Sequence, residues 1–402
     1  MTIKNNIPAG YKDSAVGIIP QEWEVTTLGK LVSITSGESP SLYNLQSSGK
    51  YPYVKVEDMN NCEKYQVFSR EYSDDEKGAI PKGSIIFPKR GAAIINNKVR
   101  IADCALYMDS NMMAITPNEY VCGDYLYFKI TFEKLYKIAD TSTIPQINNK
   151  HIIPYKLAVP PMGEQRKIAE ILGVWDEAIE KQSRLIERLD VRKRALMQRL
   201  LTGRIRLPGF TDDVQYRKLK PFITEKSERN TNQTYANVLS VTNNRGFVNQ
   251  AEQFDREVAS DNTANYKLVR KGQFAYNPSR VNVGSLDLLQ TYDLGVLSPM
   301  YIVFETKPTM DSKFLYYQLK SSWFVGHIPM YVQGSVRDSL SFDGLENMRF
   351  WIPSLPEQKA IAEVLTTADK EIATHRKKLD ALRLQKRSLM QQLLTGKTRI
   401  KI

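Results

Sequence analysis

Two stretches of the chain carry apolar residues at alternating spacings of four and three positions. The first runs from Ile168 to Leu200 and the second from Ile361 to Leu393. Such spacing over four heptads predicts a long helix that packs against a partner helix as a coiled coil. The predicted seam of the helix pair consists of Ile168, Leu172, Ile179, Gln182, Ile186, Leu189, Leu196, Leu200, Ile361, Leu365, Ile372, His375, Leu379, Leu382, Leu389 and Leu393.

The two helical stretches are copies of one sequence. Residues 164–206 align with residues 357–399 without a gap, at a constant offset of 193, and 19 of the 43 aligned positions are identical. The polar interruptions of the seam coincide as well, since Gln182 aligns with His375. Polar groups on a seam lower its stability but fix its register. We therefore predict two equivalent helices that pair with each other.

The segments outside the helices are related more distantly. The stretch "PKGSIIF" at 81–87 resembles "RKGQFAY" at 270–276, and "DSNMMAI" at 109–115 resembles "LSPMYIV" at 297–303. The offset drifts while the apolar positions are retained, which predicts two domains of one fold with diverged loops. Short apolar runs between glycine, proline and asparagine turns predict short strands within each domain.

The predicted fold class is therefore α+β. Two globular domains of mixed α/β structure are separated by two long helices, which we expect to pair as an antiparallel coiled coil in a pseudo-twofold molecule. The predicted parts are a first globular domain with an N-terminal lead-in (1–157), a central long helix (158–206), a second globular domain (207–350) and a C-terminal long helix (351–402).

The charge balance adds a class of partner to this picture. The chain has 402 residues with 56 Lys and Arg against 44 Asp and Glu, for a net charge of +12. An excess of positive charge favours a polyanionic partner, most commonly a nucleic acid. Charge alone does not establish specific binding, because many basic proteins bind no nucleic acid specifically.

The cellular compartment is predicted from segments that the sequence lacks. No run approaches the roughly 18 apolar residues of a membrane span, and the first residues have no apolar signal core. Cys62, Cys104 and Cys122 form an odd set without a CxxC pair. We interpret them as reduced thiols of a cytoplasmic protein rather than as disulfides or metal ligands.

Three sequence features together suggest a family. The chain contains "YKDSAVGIIPQEW", "PPMGEQRKIAEIL" and two endings of the form LMQ-x-LLTG-x-x-R. Over nearly its whole length it closely resembles the DNA-specificity (S) subunit of type I restriction-modification systems. The resemblance implies a non-catalytic subunit without a cofactor, in which each globular domain is a target-recognition domain for one half of a bipartite site on double-stranded DNA.

The resemblance also implies roles for the helices and a set of partners. The helix pair would set the unspecified spacer between the two half-sites. It would also dock two methyltransferase (M) subunits, and restriction (R) subunits would attach through the complex. No membrane partner is implied.

No motif of the sequence predicts a catalytic, cofactor-binding or metal-binding residue. "YNPSR" at 276–280 begins like the tetrad of adenine methyltransferases, but Ser279 and Arg280 replace its proline and aromatic residue. "TGKT" at 395–398 lacks the upstream glycine of a phosphate-binding loop. "VFETK" at 303–307 has the strand-ExK form of many nucleases, but an edge-strand charge pair is the simpler explanation.

Base-specific contacts to DNA need Arg, Lys, Asn or Gln side chains at base edges, with further basic residues at phosphates. Polar, amide-rich loops occupy corresponding places in both domains. The simplest alternative for each single residue is a solvated loop position. The candidate DNA-binding residues are Lys89, Arg90, Asn96, Asn97, Lys98, Arg100, Thr141, Ser142, Gln146, Lys150, Asn243, Asn244, Arg245, Arg280, Asn282, Gln333, Ser335 and Arg337.

Two other functions stay open at this point. The chain could be a stand-alone DNA-modifying enzyme, either a methyltransferase or a nuclease, although the motifs for both are incomplete. It could also be a coiled-coil interaction protein that does not read a DNA sequence.

Overall fold

The structure is a computed structural model that describes residues 7–76, 78–140, 144–212, 214–250, 262–332 and 339–400. The chain divides into two compact units. The first combines residues 1–182 with 378–402, and the second contains residues 183–377. Two helices of 39 residues each, Met162–Leu200 and Leu355–Leu393, contribute to both units. The structure combines helices and sheets, as predicted for the α+β class.

In its described residues, the first unit is built from short strands and the shorter helices Gly123–Glu133 and Asn149–Ile152. Its longest sheet has the order β4-β11-β8-β9-β6. The strands are β1 Tyr11–Lys12, β2 Ile19–Pro20, β3 Glu24–Thr27, β4 Val32–Ser36, β5 Tyr51–Val54, β6 Tyr65–Gln66, β7 Tyr72–Ser73, β8 Ile85–Pro88, β9 Arg100–Ala102, β10 Tyr107–Met108, β11 Met112–Pro117 and β12 Lys156–Val159.

The second unit has the shorter helices Ser312–Leu319, Ser322–His327 and Phe342–Asn347. Its longest sheet has the order β14-β21-β18-β19. The strands are β13 Tyr216–Lys218, β14 Ile223–Lys226, β15 Leu239–Thr242, β16 Gly246–Asn249, β17 Lys267–Arg270, β18 Phe274–Tyr276, β19 Leu286–Leu288, β20 Leu294–Leu297, β21 Ile302–Thr306 and β22 Arg349–Trp351.

The two units share a sheet topology. The antiparallel order β4-β11-β8-β9 of the first corresponds to β14-β21-β18-β19 of the second. A parallel contact also recurs, because β5 pairs with β10 in the first unit and Val238 bridges to Val296 in the second. The weak similarity between the two halves of the sequence thus corresponds to a common arrangement of strands.

In the longest sheet of the first unit, the inner strand β11 is buried on both faces along residues 112–115. In β11, Met113 and Ile115 belong to the main core, whereas Met112 and Ala114 belong to a second apolar cluster. Because successive residues of a strand point to opposite faces, apolar residues at every position indicate a strand covered on both sides. The sheet therefore has no solvent-exposed face at this strand.

In the first unit, side chains of the two long helices form ion pairs in an antiparallel order. Glu164 at the start of the central helix binds Arg399, which follows the C-terminal helix, at 2.9 Å. Asp176, twelve positions further along the central helix, pairs with Lys386. Because the partner's number falls as the first number rises, the helices run antiparallel within this unit.

The second unit repeats this arrangement with equivalent residues. Lys193 pairs with Asp369 at 2.5 Å, and Arg206 binds Glu357 at 2.6 Å. These pairs are the same alignment positions as those in the first unit, shifted by the offset of 193. The repeated sequence therefore forms the same ion pairs twice, once in each unit.

Of the sixteen residues in the predicted seam, twelve are buried, and buried residues such as Ala169, Ala362 and Met390 lie outside it. Positions outside the predicted seam include exposed apolar side chains, since Val174 is 62% and Val191 is 56% exposed. The seam residues Leu196, His375, Leu382 and Leu389 are half-buried. The buried seam residues are Ile168, Leu172, Ile179, Gln182, Ile186, Leu189, Leu200, Ile361, Leu365, Ile372, Leu379 and Leu393.

The Arg206–Glu357 pair gives a test of how the second unit is held together. Glu357 has no exposed side-chain surface, so Arg206→Met would leave a buried carboxylate without its cation. We expect the melting temperature to fall by roughly 6–12 °C in differential scanning calorimetry.

Arg399→Met is the matched control for this substitution. Its partner Glu164 also accepts a hydrogen bond from Trp23 Nε1 at 3.1 Å, so the carboxylate keeps one donor. The fall should therefore be smaller than for Arg206→Met. Equal melting temperatures for Arg206→Met and the parent protein would contradict the proposed contribution of the ion pair.

Candidate nucleic-acid interface

Two turns that are distant in sequence adjoin in the second unit. The hairpin between β15 and β16 presents Asn243, Asn244 and Arg245, and the turn after β18 presents Arg280 and Asn282. All five are exposed. A side chain on the glycine that ends the second turn would contact Asn243 at 3.2 Å. The structure thus brings five of the predicted DNA-binding residues onto one surface.

Local sequence explains both turns. In the hairpin, Thr242 Oγ1 accepts a hydrogen bond from the Arg245 N–H at 3.1 Å, and Gly246 has a positive φ of 62°. In the second turn, Asn277 Oδ1 accepts from the Ser279 N–H at 3.1 Å, and Gly284 has a φ of 98°. Asparagine and threonine close such turns, and glycine adopts positive φ at no steric cost.

A third segment joins these two turns. The Leu340 N–H donates to the Pro278 carbonyl at 3.1 Å, which places residues 339–340 beside the second turn. The candidates Gln333, Ser335 and Arg337 lie outside the described residues. An open groove here is lined by Asn277, Pro278, Ser279, Arg280, Met300 and Ser339.

The first unit brings corresponding segments together. The turn after β8 contains five of the ten predicted DNA-binding residues of this domain, and Lys98 Nζ donates to Asn60 Oδ1 at 2.5 Å. Asn60 belongs to a 3-10 turn, Asp58–Asn61, which follows β5 as the hairpin turn follows β15. The two turns correspond because the strands before them make the equivalent parallel contacts.

The third segment of the first unit also matches. Arg90 and Gln146 form a β-bridge, and the Ile147 N–H donates to the Lys89 carbonyl at 2.9 Å. Lys150 is exposed on the short helix that follows. Thr141 and Ser142 lie outside the described residues. Both domains therefore assemble a surface from the same three segments of the fold.

The predicted DNA-binding residues of the first unit differ in their exposure and in the contacts that they make within the protein. Arg90 and Asn96 are exposed. Asn97 has a positive φ of 49°, and its Nδ2 donates to the Thr131 carbonyl at 2.9 Å. Burial lowers the pKa of Lys89, and the adjacent charge of Arg90 lowers it further.

Arg100 is engaged inside the first unit. Its guanidinium donates to the carbonyl of Cys62 at 2.8 Å and to that of Met59 at 2.9 Å. A third hydrogen bond reaches the Val99 carbonyl at 2.8 Å. In this structure Arg100 ties β9 to the adjacent turn and is only half-exposed.

The structure adds residues to the surface that sequence reasoning missed. Asn60 and Asn61 lie in the first turn of the first unit, and Asn277, Ser279 and Ser339 line the groove of the second. Asn60 could have been identified only from its place after β5, the strand that is equivalent to β15. That equivalence depends on a parallel strand contact, which sequence spacing does not reveal.

The nuclease-like "VFETK" stretch has a structural role. Glu305 pairs with Lys226 at 2.7 Å and accepts from Gln273 Nε2 at 3.0 Å, and the bond from Lys226 lowers the pKa of its carboxyl. The charge pair is as predicted, but its place at an edge strand is wrong, because β21 lies between β14 and β18. Within the described ranges, no group of three or more potential ligands could hold a metal ion.

A comparison with known families gives the identity of the fold. The family model for the type I restriction modification DNA specificity domain matches the chain twice, at residues 20–189 and 213–384. The chain belongs to this family. Each match covers one globular domain and much of the long helix that follows it.

Similar proteins extend over the same length. The chain is 23% identical to the type I restriction enzyme MjaVIII specificity subunit of Methanocaldococcus jannaschii, over 95% of this chain and 94% of that protein. It is 25% identical to the putative MjaX specificity subunit of the same organism, over 97% of each. The crystal structure of the S subunit from M. genitalium aligns with a TM-score of 0.58 at 16% identity, over 100% of this chain and 99% of that one.

This chain is therefore a type I specificity subunit built from two family domains. The likeness to the solved S subunit supports the fold, with two domains in one chain. None of the helices in the described part of the chain is both long and apolar enough to cross a membrane.

Gly246 provides a test of the hairpin geometry in the second unit. A Cβ atom on Gly246 would lie 1.7 Å from Asp287 Oδ2, and the φ of 62° is unfavourable for other residues. We expect Gly246→Ala to lower the melting temperature by roughly 3–8 °C.

Gly272→Ala separates the effect of a positive φ from the effect of the close contact with Asp287. Gly272 has a φ of 87° in the same unit, but a Cβ atom there would meet nothing within 4 Å. Its melting temperature should fall less than that of Gly246→Ala. An equal fall in the two variants would argue against the close approach of Asp287 to the hairpin.

Proposed function

We propose that this specificity subunit reads a bipartite site on double-stranded DNA, with one half-site for each globular domain. The observation that carries the proposal is that both domains assemble a polar surface from the same three segments of their fold. In the second domain this surface contains Asn243, Asn244, Arg245, Arg280 and Asn282, all exposed. Such side chains suit hydrogen bonds to base edges in the major groove.

The two surfaces differ in chemistry, which favours two different half-sites. The first domain offers Arg90, Asn96 and Lys98 with Asn60. The second offers Arg245 with two asparagines in the hairpin, and Arg280 with Asn282 in the turn after β18. Direct readout depends on the pattern of donors and acceptors, so different side chains at equivalent places select different bases. A non-palindromic target is the consequence.

The long helices have a separate role in the proposal. They would pair along their whole length as an antiparallel coiled coil in a pseudo-twofold molecule, set the spacer between the half-sites and dock two methyltransferase subunits. Restriction subunits would join through that complex. The repeated ion pairs support this proposal, because two equivalent helix surfaces suit two copies of one partner.

The subunit itself would not catalyse the reaction. The tetrad-like residues of "YNPSR" form a turn, in which Asn277 bonds to the backbone of Ser279. We therefore assign methyl transfer and cleavage to the partner subunits, and positioning on DNA to this chain. Transfer of a methyl group by the isolated chain would contradict this assignment.

The half-site division is tested by paired substitutions in the complete complex. Arg280→Ala should relax specificity in one half-site, and Arg90→Ala should relax it in the other. Loss of a good base contact costs about 1–3 kcal/mol of discrimination, or roughly 5- to 150-fold. Sequencing of the methylated positions in cells that express the complete system would reveal both motifs.

Arg270→Ala is the matched control, because Arg270 is a paired arginine of the same domain, bound to Glu228 at 2.9 Å. It removes one positive charge and should leave both half-sites unchanged. If Arg280→Ala and Arg90→Ala altered the same half-site, the assignment of one domain to each half would be wrong.

The spacer role is tested by changing helix length. A seven-residue insertion after Leu189 alone should weaken assembly, because it shifts the helix pair out of register. A second insertion of seven residues after Thr374 should restore assembly, since Asp190 pairs with Arg376 beside this position.

The double insertion should lengthen the DNA spacer and leave both half-sites unchanged. Seven residues add about 10.5 Å of helix, or about three base pairs at 3.4 Å each. The motif would be read from methylome sequencing. A changed half-site with an unchanged spacer would exclude the helices as the measuring element.

A further inference from the structure

Arg100 and Asp287 occupy the same ladder position in the two domains. Arg100 on β9 pairs with Ile86 on β8, and Asp287 on β19 pairs with Ala275 on β18. Ile86 and Ala275 are equivalent residues in the aligned stretches "PKGSIIF" and "RKGQFAY". The fold therefore places a cation in one domain where it places an anion in the other.

Each side chain bonds to the backbone beside a polar turn of its own domain, which is residues 58–61 in the first domain and residues 243–245 in the second. Arg100 donates to the carbonyls of Met59 and Cys62, which flank Asn60 and Asn61. Asp287 Oδ2 accepts from the Phe247 N–H at 3.2 Å, directly after the turn that carries Asn243 to Arg245. The bonds have opposite polarity, but each joins the ladder position to the backbone of the equivalent turn.

Two neighbouring contacts in the second domain also hold the hairpin turn in place. Ser285 Oγ donates to the Val241 carbonyl at 2.7 Å and is buried. Gly284 leaves room for Asn243. The hairpin turn is thereby fixed against the strand that follows Arg280, so the distance between the two polar turns depends on β19.

Asp287 is half-buried, and this environment disfavours a charged carboxyl group. Burial raises the pKa of its carboxyl, while the charge of Lys320 and hydrogen bonds from the Leu288 and Phe247 N–H groups lower it in part. Lys320 Nζ is committed to the Leu286 carbonyl at 2.5 Å. A partly buried carboxylate costs desolvation energy, which its hydrogen bond to the turn offsets only in part.

We propose that Arg100 and Asp287 are equivalent positioning residues, each of which sets the geometry of the first polar turn of its own half-site. The inference rests on the proposed reading of one half-site by each domain. It also changes the expected role of Arg100, which holds a recognition turn through backbone carbonyls instead of reading a base.

The number of affected base pairs distinguishes positioning from reading. A residue that contacts one base pair loses discrimination at that pair alone. A residue that orients a turn affects every base read by that turn. Arg100→Ala should therefore lower discrimination at two or more base pairs of one half-site, and Asp287→Ala at two or more of the other.

The experiment uses the full chain assembled with its methyltransferase partner and a library of randomised DNA. One hydrogen bond to a charged group is worth enough to reduce discrimination by about tenfold. Asp287→Asn keeps an acceptor for the Phe247 N–H and should remain within about twofold of the parent. Asp293→Asn removes an exposed charge of the same domain, paired with Lys271, and controls for a general change in DNA affinity.

Three results would overturn the inference. These are loss at a single base pair in Arg100→Ala, equal loss in both half-sites for either variant, and unchanged discrimination in both. If an alanine variant fails to assemble, Arg100→Lys and Asp287→Ser are judged by the same criteria, because they keep a polar group but shorten its reach.

Failure of the proposed reading of one half-site by each domain would give a different set of results. If Arg90→Ala and Arg280→Ala change neither half-site, the assignment of these surfaces to DNA reading fails. If those two variants act as expected while the Arg100 and Asp287 variants match the parent, only the positioning role fails.

Discussion

A buried carboxylate at the first turn of each long helix is the contact on which each unit depends. Glu164 and Glu357 each bind an arginine that follows the end of the other long helix, Arg399 and Arg206 respectively. The neighbouring glutamine completes the junction, because Gln165 accepts from the Cys122 N–H and donates to the Pro160 carbonyl. One dipeptide thus joins the helix start, the globular domain and the end of the other helix. This explains why the Glu-Gln pair and the terminal arginine both occur twice in the sequence.

The long helices could be predicted from sequence because their signals are local. Heptad spacing relates residues that are only three or four positions apart, so it can be read without knowing any contact between distant parts of the chain. The loops with polar residues after β8 and β18 were also predictable, from their composition. The inclusion of Asn60 in the candidate surface, and the engagement of Arg100 within the protein, were not. Both depend on which strands pair, and that is decided by contacts between residues far apart in the chain.

Equivalent positions of the two domains keep their backbone contacts more strictly than their side chains. Buried Lys129 donates to the carbonyl of Leu394 at 2.8 Å, and Gln318 donates to the carbonyl of Leu201 at 2.9 Å. Leu201 and Leu394 are aligned residues at the ends of the two long helices. A last-turn carbonyl has no partner within its own helix, so a buried one needs a donor from elsewhere. Lysine and glutamine both meet that requirement, although they differ in charge.

The same reasoning explains how the two surfaces can diverge on one fold. What the architecture requires at a given place is a donor or acceptor for a particular backbone group, and several side chains satisfy it. Burial lowers the pKa of Lys129, so keeping a charge there has a cost that Gln318 avoids. Where no backbone group has to be satisfied, as at exposed Asn244 or Arg280, the side chain is free to vary. In the proposed function, exposed positions of this kind are where side chains that differ between the two domains would select different bases on the same scaffold.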